Sequence, residues 1–87
     1  MKKQDAEQII TEFVKPVYGF ALKRCKTVQD AEDVSSEIIL RAYRALLARE
    51  DIEDYGKFIW TIAHNYLSNY YRDSGKSYIG GNIEDMA

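Results

Sequence analysis

The sequence predicts an all-α protein, a compact helical bundle of three to four helices. Apolar residues recur every three or four positions through three long stretches, which is the helical period. One proline and five glycines occur in 87 residues, and three of those glycines lie after residue 74. The chain is 46% hydrophobic and 30% charged, as is typical of a globular domain rather than a disordered one. At this length it makes one small domain.

The first stretch predicts a helix from Asp5 to Cys25. One side of this helix is apolar, and comprises Ile9, Ile10, Phe13, Val17, Phe20 and Ala21. Pro16 lacks a backbone donor and clashes with the carbonyl four residues earlier. We therefore expect a kink or break near Lys15, followed by a short second piece from Pro16 to Lys26.

The second stretch predicts a helix from Val28 to about Arg49, with Thr27 as its N-cap and Asp30 in the box position three residues later. The expected core stripe is Ala31, Val34, Ile38, Ala42 and Leu46. The opposite face carries Glu32, Asp33, Ser36, Glu37, Leu40, Arg41 and Arg44. An acidic row around an uncovered leucine fits a docking surface, and it equally fits an ordinary solvated flank.

The third stretch predicts a helix from Tyr55 to Asp73, capped by Asp54. The expected core positions are Ile59, Ile62, Ala63, Tyr66, Leu67 and Tyr70. The expected outward positions are Trp60, Thr61, His64, Asn65, Ser68, Asn69 and Arg72. An aromatic, two amides and a cation suit contacts with nucleobases and phosphates, although the same pattern fits a plain helix surface. We expect the domain to span residues 1–73 and residues 74–87 to be a linker.

Charge is distributed unevenly along the chain, whose net charge is −2. Residues 1–26 hold six basic and three acidic residues, whereas residues 27–54 hold three basic and eight acidic ones. An acidic second helix suits a protein partner better than a phosphate backbone.

Catalysis, metal binding and membrane insertion find no support in the sequence. His64 is the only histidine and Cys25 the only cysteine, so neither a zinc site nor a disulfide is predicted. We expect Cys25 to be a buried or half-buried thiol and no cofactor to be required. No apolar stretch approaches the length of a membrane span, and a single cysteine suits a reducing, cytoplasmic location.

Two blocks of sequence carry a family resemblance. They are DAEDVSSEIILRAYRAL, at residues 30–46, and YGKFIWTIAHNYLSNYYRD, at residues 55–73. In this order and at this separation they resemble conserved region 2 of bacterial RNA polymerase sigma factors, most closely the extracytoplasmic-function (group IV) class. The resemblance covers about Val14 to Arg72. It implies a helical domain that directs transcription initiation and has no enzymatic activity of its own.

The resemblance also implies two sites. The second helix would dock on the clamp-helix coiled coil of the largest polymerase subunit, through Asp33, Ser36, Glu37, Leu40 and Arg41. The third helix would capture the promoter −10 element from the non-template strand and help to melt the duplex. The residues implied for DNA contact are Ala45, Trp60, Thr61, Ile62, His64, Asn65, Asn69 and Arg72. An anti-sigma factor would compete for the docking face.

The chain departs from the family pattern at several positions. Ser36 stands where glutamine is usual, and Phe58 where tryptophan is usual. Thr61 and His64 stand where arginine is frequent, and Arg49 where an aromatic is common near the base pocket. Fewer arginines mean fewer phosphate contacts.

An alternative is therefore a sigma-like interaction module that binds polymerase or an anti-sigma factor without DNA recognition. A complete factor needs a second, −35-binding domain, and residues 82–87 are expected to begin the linker towards one.

Overall fold

A computed structural model of the chain describes residues 1–74, and these form three helices without a strand among them. Helix α1 spans Lys3–Arg24, α2 spans Val28–Ala48 and α3 spans Tyr55–Ser74. The all-α prediction is confirmed, with three helices rather than four. The linker expected at residues 74–87 falls almost wholly outside the described residues.

Helix α1 continues through Pro16, so the prediction of a separate piece from Pro16 to Lys26 is wrong. Pro16 cannot donate to the carbonyl of Glu12, four residues earlier, and both Glu12 and Pro16 are exposed. Water can hydrate that carbonyl on the outer surface, which reduces the penalty of the missing donor. Val17 and Phe20 are buried beyond the proline and hold the second half of the helix against the core.

Helices α2 and α3 begin at the predicted caps. The backbone N–H of Asp30 donates to the Thr27 hydroxyl over 3.0 Å. The backbone N–H of Lys57 donates to the Asp54 carboxylate, also over 3.0 Å. Each contact satisfies one of the donors that a helix start leaves unpaired, so both N-terminal boundaries agree with the sequence.

Contacts at the two ends of the bundle define how the helices run. At one end the Met1 amino group donates to the Arg49 carbonyl over 2.8 Å, which places the start of α1 beside the end of α2. At the other end the Tyr71 hydroxyl donates to the Arg24 carbonyl over 3.0 Å. Helices α1 and α3 therefore run in the same direction, and α2 runs antiparallel to both.

The core lies between the three helices and includes five fully buried alanines. The predicted stripe of α2 is fully buried from Ala31 to Leu46. Alanines without exposed surface also come from α1 and α3, namely Ala6, Ala21 and Ala63. Small side chains let helix axes approach closely, which helps a domain of this size to bury its surface. Cys25 is buried as predicted.

Two apolar core residues and one buried polar residue, Ser35, were not predicted. Ala6 has no exposed surface and Tyr71 keeps only 2%. Burial and a hydrogen bond with Cys25 raise the pKa of the Tyr71 phenol, which therefore stays protonated. Within the described part of the chain, no helix is long and apolar enough to cross a membrane.

Candidate functional site

A groove of about 870 Å³ runs between α2 and α3. Its lining residues are Arg41 and Ala45 from α2, and Ile62, Asn65, Tyr66, Asn69, Tyr70 and Arg72 from α3. Five of the eight residues expected to contact DNA lie here, supplied by two consecutive helices. The groove has an apolar wall, two amides, two phenols and two cations.

The amides lie one helical turn apart on the exposed side of α3, as their four-residue spacing requires. Arg72 donates from its guanidinium to the Asn69 side-chain oxygen. This contact orients the Asn69 amide and brings a positive charge to the end of the groove. Asn65 is exposed, so its amide can both donate to and accept from a base edge.

Two tyrosines form the floor of the groove and were expected only as core residues. Tyr66 and Tyr70 are half-buried, and their ring centroids lie 6.1 Å apart. Burial and the nearby Glu37 carboxylate raise the pKa of Tyr66, so its phenol remains a neutral donor. Each tyrosine directly follows an asparagine, and this repeated Asn-Tyr pair four residues apart is the sequence signal that could have identified them. Such rings offer stacking surfaces for unpaired bases.

Arg41 belongs both to the groove and to the expected docking face. Its Nε lies 3.0 Å from the Glu37 carboxylate. Its guanidinium also lies 4.9 Å from the centroid of the Tyr66 ring. The arginine thus connects the acidic face of α2 with the aromatic floor of the groove.

The expected docking residues share one uncovered face of α2. Asp33 and Ser36 are exposed, Leu40 is 40% exposed, and Glu37 is half-buried beside Arg41. Ser36 also borders a shallow groove of about 270 Å³ against α1, whose other walls are Val14, Tyr18, Glu32, Ser35 and Ile39. An exposed leucine on a face that also carries Asp33 and Glu37 is suited to a partner with apolar and basic side chains.

Three of the residues expected to contact DNA lie outside the groove. The expectation that Trp60 faces outward is wrong, because it is half-buried with its ring 5.4 Å from Phe20 and 6.4 Å from Phe13. The His64 ring lies 4.8 Å from Phe20, on the α1 side of α3. Partial burial and the adjacent Arg24 cation lower the pKa of His64. Roles of these residues in DNA binding stay predictions.

Thr61 lies at a neighbouring pocket of about 510 Å³, formed by the α2–α3 connection and the start of α3. This pocket shares Ile62 with the groove. Arg49 lines it, with its guanidinium 5.6 Å from the Phe58 ring centroid and its Nε 3.4 Å from Asp51. Arg49 occupies the position at which the family pattern commonly has an aromatic residue, and its guanidinium stacks on the Phe58 ring. Among the residues whose side chains the structure describes, no three His, Cys, Asp or Glu gather as a metal site would require.

A family model described as Sigma-70 region 2 matches residues 9–77, which is most of the chain. The chain belongs to the sigma-70 region 2 family. Such a region 2 domain is a transcription-factor domain and not an enzyme. No curated protein and no solved structure matches the chain significantly. The family model includes both α2 and α3, and therefore every residue of the groove and of the docking face.

Proposed function

We propose that this region 2 domain docks on the clamp helices of core RNA polymerase and recognises and melts a promoter −10 element. The observation that carries the proposal is the groove between α2 and α3. It gathers Asn65, Asn69 and Arg72 beside the rings of Tyr66 and Tyr70. These are the groups needed to hold a base outside the duplex, through edge contacts, stacking and a nearby cation.

Base capture would assist melting because it stabilises only the open strand. An extruded base loses its stacking and pairing in the duplex, a loss of a few kcal/mol. A phenol ring below it and an amide at its edge replace part of those interactions, at about 1–3 kcal/mol for each stacked base. The apolar wall of Ala45 and Ile62 keeps water from competing for the edge contacts.

Docking would use the acidic face of α2. Glu37 and Asp33 would pair with basic side chains of the clamp helices, and Leu40 would enter a gap between them. Because Glu37 already pairs with Arg41, a clamp cation would share or replace an existing partner rather than meet a bare carboxylate.

The test of recognition uses the full chain bound to core polymerase and single-stranded DNA with six randomised positions. Bound DNA is sequenced for the wild type, for Asn65→Ala, and for Gln8→Ala, a control that removes an exposed amide from α1. We expect Asn65→Ala to lose preference at one base position by about 1–3 kcal/mol, which is roughly 5- to 150-fold. The Gln8→Ala protein should select the same sequences as the wild type.

Docking is measured in the same complexes by binding of each variant to core polymerase. Glu37→Lys and Asp33→Arg should weaken this binding, whereas Glu12→Lys, a reversal at an exposed residue of α1, should not. Selection of no sequence by the wild-type complex would contradict −10 recognition. Equal binding of all three charge reversals would contradict docking through α2.

A second candidate function is a protein-interaction module without DNA recognition. It is favoured by the apolar groove between α1 and α2, whose Val14 is 45% exposed beside the acidic face. It requires that Asn65→Ala has no effect on DNA selection while Glu37→Lys abolishes binding to polymerase.

A further inference from the structure

Three cations lie at the carboxyl end of α1 and take no part in the groove or the docking face. We call Lys23, Arg24 and Lys26 the α1 cation cluster. Lys23 and Lys26 are exposed, and Arg24 is half-buried. Cations in a last helical turn oppose the negative end of the helix dipole, so a purely stabilising role is the simplest alternative.

The cluster has no acidic partner among the described residues, whose ion pairs all lie elsewhere. The Arg24 guanidinium lies 4.2 Å from the Phe20 ring centroid and donates to the Phe20 carbonyl over 3.3 Å. Its Nε is buried without a hydrogen-bond partner in the described part of the chain. A fixed cation outside the described ion pairs, flanked by two exposed lysines, is a local source of positive potential in a chain of net charge −2.

The cluster lies about 100° around the axis of α3 from the groove. The Arg24 carbonyl accepts from Tyr71, the residue before groove-lining Arg72. The Arg24 guanidinium lies over the Phe20 ring, and this ring contacts His64, the residue before groove-lining Asn65. On a helix of about 10–12 Å diameter, this corresponds to an arc of roughly 10 Å over the surface of α3. A DNA strand advances about 3.4 Å per nucleotide, so a few nucleotides cover it.

We propose that the α1 cation cluster binds backbone phosphates of the DNA strand whose bases enter the groove. This inference rests on the proposed function and adds to it a sequence-independent contact from α1. Phosphate contacts fix the register and orientation of a strand, whereas base contacts specify its sequence. Lys23 and Lys26 would thus make part of the phosphate contacts that the third helix loses where it lacks arginines. Arg24 would add positive potential between them.

The test uses fluorescent single-stranded DNA taken from the randomised pool. Its binding to the complex of the full chain with core polymerase is measured at several salt concentrations. The double variant Lys23→Gln/Lys26→Gln is compared with Lys2→Gln/Lys3→Gln. The control pair removes the same charge from exposed lysines at the other end of the 22-residue helix, about 33 Å away. Single strands give a salt slope of about 0.7 per phosphate contact, so loss of both contacts should flatten the slope by about 1.4.

The expected result is a flatter slope and weaker binding for Lys23→Gln/Lys26→Gln, an unchanged slope for the control, and the same selected sequence in all three proteins. Equal slopes in both double variants would overturn the proposal, and so would a loss of thermal stability without a change in slope, as a role limited to the helix dipole predicts. These outcomes leave the Asn65→Ala result intact. Absence of any sequence preference in the wild type would instead overturn the function on which the cluster depends.

Discussion

At the scale of single residues, His64 reports on the environment between α1 and α3. Its ring packs against Phe20 beside the Arg24 cation, and burial together with that cation lowers its pKa from the ordinary 6.5. A lowered pKa means that the folded state disfavours protonation. The contribution of neutral His64 to stability is therefore present above pH 6.5 and is lost as the pH falls through the lowered value.

An NMR titration measures this directly, because His64 is the only histidine of the chain. We expect its ring protons to titrate with a midpoint below 6.5. In Arg24→Gln the midpoint should rise but stay below the ordinary value, because burial is the larger cause and persists. A wild-type midpoint at or above 6.5 would contradict the packing described for this ring.

Residue-level predictions succeeded where periodicity alone decides and failed where a distant contact decides. The α2 stripe was predicted in full because its apolar positions follow a single helical period. Tyr71 continues the buried row of Ile59, Ala63 and Leu67 at four-residue spacing, and choosing Tyr70 in its place departed from that row. Trp60 was misplaced because the sequence does not reveal that Phe13 and Phe20 of α1 cover that side of α3.

At the scale of elements, Pro16 is a defect that α1 tolerates rather than a boundary. The proline removes one backbone hydrogen bond from an exposed position, while buried residues on both sides retain the helix. Burial of the flanking residues therefore outweighs the low helix propensity of the proline. The sequence alone does not show this balance, because it does not show which side of the helix faces water. The caps at Thr27 and Asp54 were predictable because they depend on local chemistry alone.

Replacement of Pro16 by alanine should stabilise the domain. The variant restores an N–H donor to the Glu12 carbonyl and introduces the strongest helix former, so the free energy of unfolding should rise by up to about 3 kcal/mol. Urea unfolding followed by circular dichroism measures the change. Lys15→Ala is the control, a neighbouring exposed position that already has its donor, and should shift stability by less than about 0.5 kcal/mol. A less stable Pro16→Ala protein would mean that the proline is required for the shape of α1.

At the scale of the whole molecule, three helices enclose a narrow core, so we expect a small free energy of unfolding. The two connections are short, three residues between α1 and α2 and six between α2 and α3. The groove depends on this arrangement, because Arg41 and Ala45 meet α3 only when α2 and α3 pack correctly. Sequence reasoning identified most groove residues through the family resemblance, but the groove itself is a property of two packed helices.

Adjacent leucines of α2 test how much the core contributes. Leu46 has no exposed surface, whereas Leu47 is 37% exposed. Leu46→Ala should lower the free energy of unfolding by about 2–5 kcal/mol, through lost burial and the cavity left behind. Small domains have about 5–15 kcal/mol in total, so DNA selection at 37 °C should also suffer. Leu47→Ala should lose less than half as much, and equal losses would contradict the orientation of α2.

The position of Arg41 has a thermodynamic consequence. The same guanidinium pairs with Glu37 on the proposed docking face and lies over Tyr66 in the groove. If both proposed sites operate, a clamp cation that drew Glu37 away would leave Arg41 to the groove, and a base stacked on Tyr66 would displace Arg41 towards Glu37. The two binding events are then linked through one side chain. Whatever factor polymerase imposes on the affinity for DNA, DNA must impose equally on the affinity for polymerase.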